Sequence, residues 1–314
     1  MNFDTAFTAI QSLIAECGGD SERFAERLRA ERIPHLSFSQ VSTVEACPYR
    51  YYLQYVRGVE PEPVPEYFTK GKLLHQLIAR DYSNGHGARA AYEDELALQL
   101  SGENLAHLLN ALALHRQNTW RGVEVLGVEH PFVMTLEPNL PPMVGVIDLV
   151  LKDNDGYLLV DHKTGRNFYP DDELQVAIYA QYIRSAYGGE AARLFYDHYR
   201  WVNNLSRIRK PAFQRVEVRA EPARWPSDLT RIRAAYQIIC KIKEIYEEWN
   251  PQKKYISPLH DSDMTPLHCG CLRSSPWKSS EDSFPSGNLR NSLLRITSAR
   301  GECFRCPYRG MCGQ

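Results

Sequence analysis

No stretch of this chain stays apolar long enough to cross a bilayer, which takes about 20 consecutive apolar residues in a helix; charged residues interrupt every run well before that. The N-terminus is acidic and helix-like, and it lacks the basic-then-apolar order of a secretory leader, so a cytoplasmic location with no membrane contact is expected. Charge of one sign is also missing. With 37 Lys and Arg against 38 Asp and Glu, the net charge is −1, which excludes a global basic footprint for nucleic acid. Any such contact has to be local; Arg207, Arg209 and Lys210, or Lys253 and Lys254, are the candidates, against the plainer reading of solvated surface. The hydrophobic share of 43% and charged share of 24% are those of a soluble globular protein. At 314 residues the chain can build one large domain or two small ones.

The most informative stretch runs from Val144 to Tyr179, VGVIDLVLKDNDGYLLVDHKTGRNFYPDDELQVAIY. Two apolar runs flank Asp153-Asn154-Asp155-Gly156, the pattern of a β-hairpin. A two-residue loop at Asn154-Asp155, or a four-residue loop over 153–156, sets Asp148 opposite Asp161; a loop at Asp155-Gly156 sets it opposite Lys163. Side chains alternate along a strand, so every even register puts Asp148, Asp161 and Lys163 on one face. Opposed carboxylates destabilise a strand pair by up to about 1 kcal/mol. Among neighbours as apolar as Val146, Ile147, Leu149, Leu159 and Val160, the cost of an unpaired charge is far higher. A divalent cation removes it, because two carboxylates, a backbone carbonyl and waters form a hard-oxygen site suited to Mg2+ or Mn2+. Lys163 beside it can orient or activate a water, or neutralise developing charge. The alternative is an ordinary solvated hairpin.

The remaining sequence divides readily. Residues 1–34 carry Phe3, Phe7, Ile10 and Ile14 at helical spacing, then a break at Cys17-Gly18-Gly19 and a charged second helix: a helical N-terminal extension, most simply a structural cap. Residues 35–256 form the core, an α/β arrangement with a short mixed sheet flanked by helices. Within it, Ser37 or Ser39 caps a helix leading to Cys47 and the aromatic group Tyr49, Tyr51, Tyr52 and Tyr55. Gly71-Lys72-Leu73-Leu74-His75 opens an apolar helical pattern, 86–120 read as one or two helices, and VLGVEHPFVM as a strand carrying Glu129. LFYDHYRWV and FQRVEV are further strands, and 228–249 a long helix. Residues 257–302, rich in Ser and Pro, read as a flexible insertion containing Cys269 and Cys271. Residues 303–314 form a tail with Cys303, Cys306 and Cys312 at C-x2-C-x5-C spacing. Eight cysteines in a chain of this kind point to metal or cluster ligation over disulfides. The three tail thiolates need a fourth ligand, for which Cys47 is the candidate. Thiolate sets bind zinc as well as iron–sulfur clusters, so both stay open on spacing alone.

G-x-I-D at Gly145–Asp148, then D-x-K at Asp161–Lys163, resembles the signature of the PD-(D/E)XK nuclease superfamily. Gln175 and Tyr179, four apart on one helix face, resemble the Q-x-x-x-Y element of its RecB-like branch. Gly71-x-x-x-His75 is similar to the branch's upstream histidine motif, and Glu129 to a recurrent acidic position to which no firm role attaches. One cysteine before the core and three after it resemble the split cluster of CRISPR-associated and RecB-like iron–sulfur nucleases. The resemblance implies a restriction-endonuclease-like core with His75, Asp148, Asp161 and the His162 carbonyl on the metal, and Lys163 on the water. It further implies that Gln175 and Tyr179 place the strand, and that a [4Fe–4S] cluster at Cys47, Cys303, Cys306 and Cys312 staples the tail to the first core helix. The implied activity is a metal-dependent DNA nuclease, exonucleolytic on single-stranded ends or flaps, in DNA repair or recombination. The alternative is a non-catalytic DNA-binding or assembly subunit of a helicase–nuclease or CRISPR adaptation complex.

Overall fold

The computed structural model describes residues 2–59, 66–83, 100, 102–166, 168, 173–188, 193–249 and 308. The expected insertion at 257–302, its Cys269 and Cys271, Lys253 and Lys254, and the tail cysteines Cys303, Cys306 and Cys312 lie outside the described residues. In chain order the elements are α1 (Phe3–Cys17), α2 (Ser21–Ala30), β1 (Leu36–Ser37), α3 (Phe38–Ala46), α4 (Pro48–Tyr51), α5 (Glu66–Ser83), α6 (Gly102–Gln117), β2 (Glu124–Met134), β3 (Met143–Asp153), β4 (Gly156–Gly165), α7 (Glu173–Tyr187), β5 (Arg193–Arg200), β6 (Phe213–Val218) and α8 (Trp225–Trp249). The chain divides into two compact units, one of Met1–His35 with Glu66–Trp225, the other of Leu36–Pro65 with Pro226–Gln314.

The first unit is built on strands β2 to β6, hydrogen-bonded in that order. Only β4 and β5 run parallel, and α7 supplies the crossover that a parallel pair requires. The sheet is therefore mixed and flanked by helices, as the sequence implied. Helix α1 starts at Asn2, whose side chain accepts from Thr5 N, and stops at Gly18, which takes the left-handed conformation at φ 61°. Its buried stripe is Ala6, Ile10, Leu13 and Cys17, packed with Phe24, Leu28, Ile33 and Val144. Of the expected stripe Phe3, Phe7, Ile10 and Ile14, Ile10 is fully buried, whereas the other three are half-buried and lie next to the buried face. Small Ala6 faces the sheet, where a phenylalanine would hold the helix away. α5 and α6 pack Leu74, Leu77, Ile78, Leu108 and Leu112 together with Tyr199 and Trp201.

The hairpin has the two-residue loop. Asp153 pairs with Gly156, and Asp153 Oδ1 accepts from Asp155 N at 2.9 Å, stabilising the Asn154-Asp155 turn. The same register carries Leu149 opposite Val160, so the next opposed positions are Asp148 and Asp161. There the strand ladder gives way: His162 N–H donates to Asp148 Oδ2 at 2.6 Å instead. On the other side, the pairs Val128–Leu149 and His130–Ile147 set Glu129 opposite Asp148. The mixed sheet thus carries three acidic residues in one row across β2, β3 and β4.

The second unit holds α3, α4 and α8. Ser37 Oγ accepts from Gln40 N at 3.2 Å, capping α3, and Cys47 Sγ does the same for Arg50 N at 3.4 Å, opening α4. Arg231 on α8 grips Glu45 on α3 with two bonds of 2.6 Å. Tyr308, buried, donates to Val59 O at 2.9 Å.

The glycine of G-x-I-D is required by packing rather than by backbone angle. Gly145 pairs with Phe132, and a Cβ there would lie 2.5 Å from Phe132 Cε1. That ring is almost wholly buried, so it cannot swing aside. Gly145→Ala is expected to destabilise the protein by about 1–3 kcal/mol, as overpacking does. Denaturant unfolding measures it; an unchanged midpoint would show that Phe132 has room to move.

Candidate active site

β3 and β4 deliver Asp148 and Asp161 to the face covered by α7, and α7 turns Gln175 and Tyr179 toward them. Lys163 Nζ lies 2.7 Å from Asp161 Oδ2 and donates to Gln175 Oε1 at 2.8 Å. Gln175 Nε2 in turn donates to Asp161 Oδ1 at 3.0 Å and to Tyr179 OH at 2.8 Å. The tyrosine hydroxyl donates to Val146 O at 3.1 Å, with Asp161 Oδ1 at 3.4 Å. The i, i+4 spacing read from the sequence therefore does bring both α7 residues to the site. Their contacts here are to Asp161, Lys163 and the β3 backbone.

His75 enters from α5. Its Nδ1 is 3.4 Å from Asp148 Oδ1 and 4.0 Å from Glu129 Oε1. One ligand atom each from His75, Glu129 and Asp148 lie within 4.8 Å of one another. Glu129, a residue with no role assigned from the sequence, thus stands with His75 and Asp148. It adopts φ 46°, a left-handed conformation that costs a non-glycine residue about 1–3 kcal/mol and is typical of functional sites. Ser21 Oγ, at the start of α2, approaches Glu129 Oε2 at 3.5 Å. Asp161 is not in that closest set; it is drawn toward Lys163 and Gln175. His162 contributes its N–H to Asp148, while its imidazole lies on the opposite side of β4, 6.0 Å between ring centres from both His75 and His115.

The electrostatics follow from burial and crowding. Burial opposes ionisation of Asp148, but the charge of His75 and its hydrogen bond outweigh it and hold the carboxyl well below its ordinary range. Burial alone would lower His75; Asp148 overrides it and pushes the imidazole up to about 9. Glu129 is pushed up to about 7, first by burial and then by the charge of Asp148. Asp161 is raised by burial and by Asp148, with Lys163 acting against both. Burial takes His162 down to about 3, so it is neutral. The site thus bears its carboxylates with Lys163 paired to Asp161, a His75 held toward its protonated form, and a Glu129 shifted upward.

Two hard carboxylate oxygens, an imidazole nitrogen and a third carboxylate alongside make a donor set suited to Mg2+ or Mn2+. The residues fit the group. The register of β2 against β3 runs unbroken from Met134–Met143 to Gly127–Val150 and sets Glu129 opposite Asp148, but the loop at 135–142 hides that pairing in the sequence.

A protein-family model described as the PD-(D/E)XK nuclease superfamily matches residues 35–255. Among solved structures, one described as "Crystal structure of SSO0001" is similar at 14% identity, covering 68% of this chain and 82% of its own, with a TM-score of 0.32. Likeness at that score carries no argument. A search of curated proteins finds no match.

Proposed function

This chain belongs to the PD-(D/E)XK nuclease superfamily, and on that footing we propose that it is a metal-dependent DNA nuclease, exonucleolytic on single-stranded ends or flaps. The observation that carries the reading is the acidic row Glu129–Asp148–Asp161 with Lys163 seated against its last member. His75, Asp148, Glu129 and Asp161, with the His162 carbonyl, would hold one Mg2+ or Mn2+. When bound, such an ion supplies Lewis-acid charge to the phosphate and its leaving oxygen and lowers the pKa of a water.

The chain's own residues do the rest. Lys163 orients the attacking water and stabilises charge on the phosphate; as an ammonium paired to Asp161 it acts as a donor, not as a base. Gln175 fixes the distance between Asp161 and Lys163 by bonding both, and Tyr179 fixes Gln175 against the β3 backbone. These two are positioning residues in this account. Gln175 reaches a substrate strand only by giving up one of those bonds. The intact Asp148, Asp161 and Lys163 count against a retired, non-catalytic subunit.

Cys47 opens α4 in the second unit, and Tyr308, between Cys306 and Cys312 in sequence, is bonded to Val59 twelve residues beyond Cys47. That contact supports a thiolate set of Cys47, Cys303, Cys306 and Cys312 holding a [4Fe–4S] cluster, with zinc as the other occupant the ligands allow. The cluster would staple tail to helix and take no redox step. A helicase or CRISPR adaptation partner, a place in DNA repair or recombination, and a cytoplasmic location belong to the same reading. Among the described residues no helix is long and apolar enough to cross a membrane.

Anaerobically purified protein should degrade end-labelled single-stranded DNA with Mn2+ or Mg2+ and not with chelator. Lys163→Ala should lose about 10²-fold or more. Folded wild-type protein that binds DNA and cuts it with neither metal would overturn the nuclease reading. The same preparation should be brown, with broad visible absorption that Cys47→Ala removes. A colourless protein carrying one zinc per chain would replace the cluster with a zinc staple.

A further inference from the structure

Charge is balanced over the whole chain, yet one exposed segment is one-sided. Residues 201–212, WVNNLSRIRKPA, join β5 to β6 and contain no Asp or Glu. Arg207, Arg209 and Lys210 are all exposed. Ile208 among them is 37% exposed, and among the described residues only Val125 is a more exposed large hydrophobic. The segment is built, not merely tethered at its ends. Asn204 Oδ1 accepts from Ser206 N at 2.8 Å and opens a short 3-10 turn over Leu205–Arg207. The Arg200 guanidinium donates to Lys210 O, closing the base of the arm.

Its placement follows from the sheet. β4 and β5 are parallel, with Lys163 opposite His198 and Gly165 opposite Arg200. The arm therefore leaves the sheet at the end where β4 delivers Lys163, and Trp201 N bonds Gly165 O at 2.8 Å. Lys163 and Gly165 are about 7 Å apart along a strand, so the root of the arm lies close to Lys163. Exposed Arg166 comes next. His107, whose pKa is lowered first by burial and then by the charge of Lys70, has its ring hydrogen-bonded to the Asn203 side chain and also feels Arg166. Arg166 and the root of the arm therefore share one neighbourhood.

We propose that the β5–β6 arm holds the substrate strand beside the carboxylate site, with Arg166, Arg207, Arg209 and Lys210 on phosphates and Ile208 against an exposed base. This rests on the nuclease reading and names the residues that hold its single-stranded substrate. Phosphate contacts position a strand without reading its sequence. An isoleucine has no hydrogen bond to offer a base edge in a groove; it packs only on a base face that is already unstacked. An acidic protein segment would match the charges but offers no base face to the exposed Ile208.

The test measures binding of a labelled oligothymidine and of a duplex of equal length to the full chain in chelator, across a salt series. Arg207→Ala/Arg209→Ala/Lys210→Ala should weaken oligothymidine binding and flatten the slope of log affinity against log salt by about 2, at about 0.7 per single-strand contact. Ile208→Ser should weaken the single strand, leave the duplex unaffected and keep the slope. An unchanged slope in the triple variant overturns the proposal, as does polyglutamate displacing the strand from wild type at equal charge. Unchanged thermal midpoints establish that the variants are folded. Cleavage by the wild type is read separately. Cutting with an unchanged slope removes the arm and keeps the nuclease, whereas slope loss without cutting removes the nuclease and keeps the arm.

Discussion

Three carboxylates lie in one row across neighbouring strands, in a place only partly open to water. Glu129 faces Asp148 from β2, and Asp161 faces it from β4. Like charges opposed across strands are unfavourable even in solvent, and burial multiplies the penalty. The surroundings are arranged to bear that load. His75 brings a positive charge from α5, the His162 N–H bonds Asp148, and Lys163 with Gln175 ties down Asp161. Even the break in the β3–β4 ladder belongs to this arrangement, because it frees a backbone donor for a carboxylate.

The same constraint gives the helices their positions. α5 has to enter at the height of Asp148, so its apolar residues Leu74, Leu77 and Ile78 pack beneath while His75 reaches the row. α7 follows β4 as the crossover to a parallel strand, and that connection brings Gln175 and Tyr179 over Asp161. The N-terminal helices pack against Val133 and Val144, and Ser21 approaches Glu129 where its backbone is strained. The extension expected to be a plain cap touches the site.

Much of this was legible from residue order. The hairpin register follows from alternation and turn chemistry, so Asp148, Asp161 and Lys163 could be placed on one face before any coordinates. The i, i+4 rule gave Gln175 and Tyr179 a shared direction. Other features were not legible. Glu129 stood out only as an acidic position without a role; its place opposite Asp148 depends on pairing across the loop at 135–142, and its left-handed backbone has no glycine or asparagine to announce it. The buried stripe of α1 keeps Ile10 of the expected one but runs through Ala6, Leu13 and Cys17, leaving Phe3 and Phe7 half-buried beside it. Gly145 reads as motif in the sequence, but its reason is the ring of Phe132.

An acidic row kept for a divalent cation is under strain without one. Glu129→Gln tests it, since the change keeps size and removes one charge from the row. Thermal midpoints should be compared with wild type at pH 8, in chelator and in saturating Mn2+. The account predicts that the variant is the more stable protein in chelator and the less stable one in Mn2+, because repulsion is relieved and a ligand is lost. A variant less stable in chelator, with a metal response equal to wild type, would show that Glu129 is a structural group and that the row holds no ion there.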